Sequence, residues 1–78
     1  MWYVYILKCS DNSYYTGCTN NLKERLIRHN KGFVHYTKNK LPVDLITYVA
    51  FSDKTKAFSF EKYLKSGSGT AFRNRRLI

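Results

Sequence analysis

The sequence predicts a small α/β domain of the α+β kind, with elements in the order β-β-α-β-α-α across residues 1–78. Three observations carry this. A chain of 78 residues suits one domain and no more. Three short runs rich in Val, Ile, Tyr and Phe begin near residues 2, 14 and 43, each bounded by turn residues. The other segments place apolar residues three or four apart behind an Asn or Asp suited to capping a helix.

Trp2 to Cys9 reads as the first strand, apolar on both faces and therefore central or well covered. Ser10-Asp11-Asn12-Ser13 is a turn cluster, and Tyr14 to Cys18 is the return strand. Gly17 in that strand marks a close approach of another backbone or a ligand. Loop length decides which tyrosines share a face. A two-residue loop at Asp11-Asn12 sets Tyr15 opposite Lys8, and Tyr5 and Tyr15 then point to opposite sides. A three-residue loop or a bulge sets Tyr15 opposite Cys9, on the side of Tyr5. A joint site requires the second register, which is the one expected.

Thr19-Asn20-Asn21 opens the first helix, and Asn21 with Glu24 three later resembles a capping box. Leu22 and Leu26 form its apolar stripe; Arg25 and His29, four apart, project side by side on a neighbouring face. Gly32 is a natural stop. Phe33 to Leu41 is a basic loop with Lys38 and Lys40, ended by Pro42. Val43 to Phe51 is the third strand, apolar on both faces and expected to be covered on both. Asp53 caps a second helix, Lys54 to about Lys65, with the stripe Ala57, Phe60 and Leu64. Ser66-Gly67-Ser68-Gly69 is expected to break that helix, and Thr70 to Leu77 to form a short last one with Arg73, Arg75 and Arg76 as a basic face.

Fourteen Lys and Arg stand against five Asp and Glu, a formal charge of +9. On so small a domain, with aromatics interleaved, that excess points to a polyanionic partner, nucleic acid first. An anionic membrane is disfavoured, since no segment sets a basic face against a continuous Trp/Leu face. No apolar run approaches a membrane span, and the amino terminus enters a strand pattern with no charged region before it, so no signal peptide is expected. Cys9 and Cys18 lack Cys-x-x-Cys spacing, which suits reduced thiols and a cytoplasmic location. With His29 and His35 they match no usual zinc spacing.

The polar residues suggest phosphodiester chemistry. Arg25 can grip phosphate oxygens with a forked pair of donors. Glu61 lies inside an apolar stripe, where a lone carboxylate is costly unless paired or bound to a cation. Mg²⁺ is often held by one or two carboxylates, with water and phosphate completing its shell. With only Asp11, Glu24, Asp44, Asp53 and Glu61 available, a single ion fits better than a two-metal cage. Beside Arg25 and a metal, the phenolate of Tyr5 is favoured, making it a candidate general base. Each residue alone has a plainer reading. Tyr5 and Tyr15 can be strand aromatics, Arg25 and His29 a solvated helix edge, Gly17 a turn residue, Glu61 a partner of a Lys or Arg, and Asn74 a turn cap rather than a support of the site.

Together, Tyr3-Val4-Tyr5, then Tyr15-Thr16-Gly17, then Arg25, His29 and Glu61 resemble the GIY-YIG nuclease superfamily. The likeness is strongest to its small stand-alone members, those similar to the amino-terminal nuclease domain of excinuclease. It spans nearly the whole chain. The resemblance implies a three-stranded antiparallel sheet flanked by helices, and metal-dependent hydrolysis of nucleic acid, DNA foremost, with one Mg²⁺ or Mn²⁺. It implies that Tyr5 activates the nucleophile, Tyr15 positions water or phosphate, Arg25 stabilises the phosphate, His29 assists proton transfer, and Glu61 holds the ion. Asn74 is the nearest candidate for a late asparagine of the family; Lys38, Arg73 and Gly17 are the expected supporting or substrate-binding residues. Tyr3, Val4 and Thr16 depart from the motif at non-catalytic positions. No targeting domain is recognisable, which leaves weak selectivity or a protein partner for targeting. A basic binding module that cuts nothing is the alternative function.

Overall fold

The computed structural model describes residues 1–78. Its first unit is the hairpin of β1 (Trp2–Lys8) and β2 (Tyr14–Thr19). Cys9 N donates to Ser13 O at 2.8 Å and Asn12 N to Cys9 O at 3.0 Å, closing a three-residue loop over Ser10–Asn12. Such loops end on a left-handed residue, and Asn12 takes that place with φ 69°. Asn tolerates it, and Asp11 Oδ1 accepts from Ser13 N at 3.0 Å to brace the turn. The loop begins one residue earlier than expected, so Tyr15 lies opposite Leu7 rather than Cys9. A shift of two positions preserves the side-chain alternation, and Tyr5 and Tyr15 still share a face.

The helix α1 (Leu22–Asn30) follows, then β3 (Asp44–Phe51), α2 (Lys54–Leu64) and α3 (Gly67–Arg76). The sheet is antiparallel in the order β2-β1-β3. The central strand is β1, whose Val4, Tyr5, Ile6 and Leu7 are all buried. Two small cores form on its two faces. Tyr5, Leu7 and Cys9 pack with Val43 and with Leu22 and Leu26 of α1. Val4, Ile6 and Cys18 pack with Ala57 and Leu64 of α2, supported by Phe60 and Leu77. The sheet therefore separates α1 from α2 and α3.

The caps follow the sequence. Asn21 Oδ1 accepts from Glu24 N at 3.1 Å, and Asp53 Oδ1 from Thr55 N at 2.8 Å. Gly32, at φ +78°, ends α1. Two expectations are corrected. Residues Gly67 to Gly69 do not separate α2 from the last helix but form the first turn of α3. Ser66 Oγ accepts from Gly69 N at 3.2 Å, and a Cβ on Gly69 would collide with the Tyr63 carbonyl, so glycine lets the two helices meet at a sharp corner. The third strand is also not covered on both faces. It is an edge strand with a bulge against Ile6 and Leu7, and Ile46 and Tyr48 are 40% and 50% exposed. A run of apolar residues cannot by itself distinguish a central from an edge strand. No helix is long and apolar enough to cross a membrane.

Candidate active site

The site is built around an absent side chain. Gly17 pairs with Tyr5 across the hairpin, and a Cβ there would collide with the Cζ and hydroxyl of Tyr5. The phenol thus lies across β2, at the free edge of the sheet, in the space a larger residue would fill. The expected close approach at Gly17 is that of a tyrosine ring from the neighbouring strand.

The Tyr5 hydroxyl lies 3.0 Å from His29 Nε2. His29 is wholly buried, and its Nδ1 lies 2.7 Å from Thr37 Oγ1. Burial, with the positive charge of Arg25 second, pushes the imidazole down to about 4. Burial also pushes Tyr5 up to about 12, helped by Tyr15 and Glu61 and opposed by Arg25. The ring of Tyr15 meets that of His29 edge-on at 5.2 Å and Tyr36 at 5.2 Å, and Lys40 Nζ sits 4.2 Å above Tyr36. Arg25 is half-buried, one helical turn before His29, and its charge acts on both Tyr5 and His29.

Glu61 reaches this edge from the other side. It belongs to α2, whose Ala57 and Leu64 pack under the opposite face of the sheet. Its charge raises both Tyr5 and Cys18, so its field spans the sheet edge. The expectation that the whole set lines one side of the sheet is corrected: four side chains come from the hairpin and α1, and the carboxylate meets them around β2. Lys65 Nζ bonds Glu61 Oε2 at 3.2 Å, one turn on; the Glu61 side chain is 18% exposed and that of Lys65 53%. Lys65 also stands 6.0 Å from the centroid of Tyr15.

A groove of about 390 Å³ runs along β2, lined in part by Tyr15, Tyr36, Lys65 and Arg73. Arg73 further lies over Tyr14, 5.3 Å from its ring centroid. Asn74 is exposed on α3 and accepts from Arg73 Nη2 at 3.0 Å; no contact ties it to the phenols or the imidazole. Lys38 is exposed on the loop that carries Tyr36 and Thr37. A larger hollow of about 440 Å³, lined by Tyr3, Leu22 and Tyr48 among others, holds none of the titratable set.

Three participants escaped the sequence. Lys65 was detectable, as a Lys four after the conspicuous Glu61. Tyr36 and Thr37 were not, because nothing in a polar, basic loop signals that one residue stacks on the site and the next is buried beneath it. The loop is fixed to the hairpin by Ser10 N donating to Lys40 O at 2.9 Å.

Residues 1–75 match the family model described as the GIY-YIG catalytic domain. A UPF0213 protein of Clostridium perfringens is 50% identical over 66 residues, covering 83% of this chain and 71% of that protein. One of Staphylococcus haemolyticus is 46% identical over 67 residues, covering 85% and 82%. The solution NMR structure of a UPF0213 protein from Bacillus halodurans is similar at a TM-score of 0.61 and 33% identity, over 99% of this chain and 87% of that one.

Proposed function

The chain belongs to the GIY-YIG family of nuclease domains, and from that premise we propose that it is an endonuclease hydrolysing nucleic-acid phosphodiesters, DNA foremost, with one divalent ion. A single observation supports this best. Tyr5, Tyr15, Arg25 and His29 from one face and Glu61 from the other converge at one open sheet edge, beside a groove lined with cations.

The residues suit a hard cation. No group of three or more His, Cys, Asp or Glu is clustered anywhere in the chain, which disfavours an all-protein cage. One carboxylate at the rim, paired only with an exposed lysine, suits Mg²⁺ or Mn²⁺ shared with phosphate and water. Glu61 would hold the ion, which when bound supplies Lewis-acid charge neutralisation at the phosphate. Lys65 would release Glu61 and turn to the backbone of the substrate.

The remaining work falls to the chain's own groups. Arg25 donates to the phosphate oxygens and offsets charge gathering there during attack. Tyr15, at the groove, positions the phosphate or the attacking water. Tyr5 takes the proton of that water once its own has passed to His29. In the free protein the Tyr5 hydroxyl is fully covered, so substrate and water must open its surroundings; catalytic hydrogen bonds commonly tighten only in the complex. Lys38, Lys40 and Arg73 hold flanking phosphates.

The test is nicking of plasmid and branched DNA with added Mg²⁺, beside Glu61→Ala and Tyr5→Phe. Loss of cleavage in both variants with retained binding supports the proposal; equal cleavage by all three assigns the activity to a contaminant and rejects it. The Glu61–Lys65 pair and the raised Tyr5 favour one other reading, a basic module that binds and does not cut. Binding without cleavage under any divalent ion selects it.

A further inference from the structure

Thr37 is one of the few wholly buried polar residues in the chain, and no motif includes it. Its hydroxyl meets His29 Nδ1 at 2.7 Å while the Tyr5 hydroxyl meets Nε2 at 3.0 Å. A neutral imidazole carries one N–H and one lone pair, so two arrangements satisfy both contacts. Either Nδ1–H donates to Thr37 and Nε2 accepts from Tyr5, or Thr37 donates to Nδ1 and Nε2–H donates to Tyr5. A phenol is the more acidic donor and an alkyl hydroxyl the better acceptor. Arg25, which only donates, also faces the Tyr5 oxygen. Both facts favour the first arrangement.

From this geometry we infer that Thr37 is a positioning residue: its hydroxyl accepts from His29 Nδ1 and so keeps the Nε2 lone pair on the Tyr5 phenol. In the step this prepares, the Tyr5 O–H bond breaks, its electron pair stays on the phenolate oxygen, and the proton bonds to Nε2. The resulting imidazolium keeps its Nδ1–H bond to Thr37. Without that acceptor the buried Nδ1–H would be unpaired, and the ring would change tautomer and present Nε2–H to Tyr5. The geometry is independent of any activity; its catalytic meaning rests on the nuclease proposal.

The experiment is the ¹⁵N shift of both His29 ring nitrogens in labelled protein, free of substrate, for wild type, Thr37→Val and Thr37→Ser. Wild type and Thr37→Ser are expected to carry the proton on Nδ1, and Thr37→Val on Nε2. A wild-type proton on Nε2, or Thr37→Val unchanged, overturns the assignment. Should Thr37→Val not fold, wild type and Thr37→Ser decide: loss of the Nδ1 proton in Thr37→Ser also overturns it. Cleavage should fall about ten- to a hundredfold in Thr37→Val and recover in Thr37→Ser, the usual scale for a group that orients a reacting side chain. The expected tautomers in proteins that all fail to cut would reject the nuclease reading and the catalytic role together, while leaving the hydrogen-bond geometry standing.

Discussion

Acid should loosen this fold through one imidazole. His29 is wholly buried and held at about 4, against a usual value near 6.5, chiefly by desolvation. Above about pH 6.5 both native and unfolded rings are neutral, and pH has no purchase through this group. As pH falls from there towards about 4, the unfolded chain binds a proton that the native chain refuses, so stability declines across that window. The separation is about 2.5 pH units, and at roughly 1.4 kcal/mol per unit the loss approaches 3 kcal/mol. That is a large share of the 5–15 kcal/mol typical of a domain, roughly. Urea unfolding followed by circular dichroism between pH 7.5 and 4.5 measures it. Wild type should lose stability at up to about 1.4 kcal/mol per unit near pH 5–6, with His29→Gln less stable at neutral pH and flatter in the same interval. Carboxylate titration contributes equally to both proteins and cancels in the comparison. Identical slopes would refute the reasoning, and so would a ring proton of His29 titrating near 6.5 by NMR.

Other outcomes follow from the same contacts. Gly17→Ala places a methyl group on the Tyr5 hydroxyl and should cost about 1–3 kcal/mol in thermal or urea unfolding, with cleavage reduced as well; a neutral effect would show that Tyr5 yields easily. Glu61→Gln should barely move the melting point, since its pairing with an exposed lysine is worth at most about 1 kcal/mol, yet should lower cleavage by about a hundredfold or more. Binding to DNA should weaken steeply with salt, and Arg73→Ala should reduce the slope of log affinity against log salt by about one, as measured by fluorescence anisotropy. Tyr5 should contribute no phenolate absorbance near pH 10 in the folded protein, so ultraviolet titration of wild type and Tyr5→Phe should coincide until well above that pH.

Much of the fold was written in local signals. The cap residues Asn21 and Asp53, the turn at Ser10–Asn12 and the i, i+4 spacing of Arg25 and His29 each act over a few residues, and each stands where it was expected. Glu61 was conspicuous because a carboxylate interrupts an apolar stripe. Long-range placement was less legible. Which face α2 covers depends on the path of the chain after β3, so the arrival of Glu61 around β2 had no local signature. The exposure of Ile46 and Tyr48 depends on which strand is central. Thr37 is buried only because the hairpin loop holds residues 33–41 down, a contact between segments far apart in sequence.

The sharpest measurement is the single-turnover cleavage rate as a function of Mg²⁺ concentration, in wild type and Glu61→Gln. One ion held by one carboxylate predicts a hyperbolic rise that saturates in wild type and is lost or shifted to far higher Mg²⁺ in the variant, while substrate binding is unchanged. A sigmoidal dependence, or the same curve for both proteins, would contradict it.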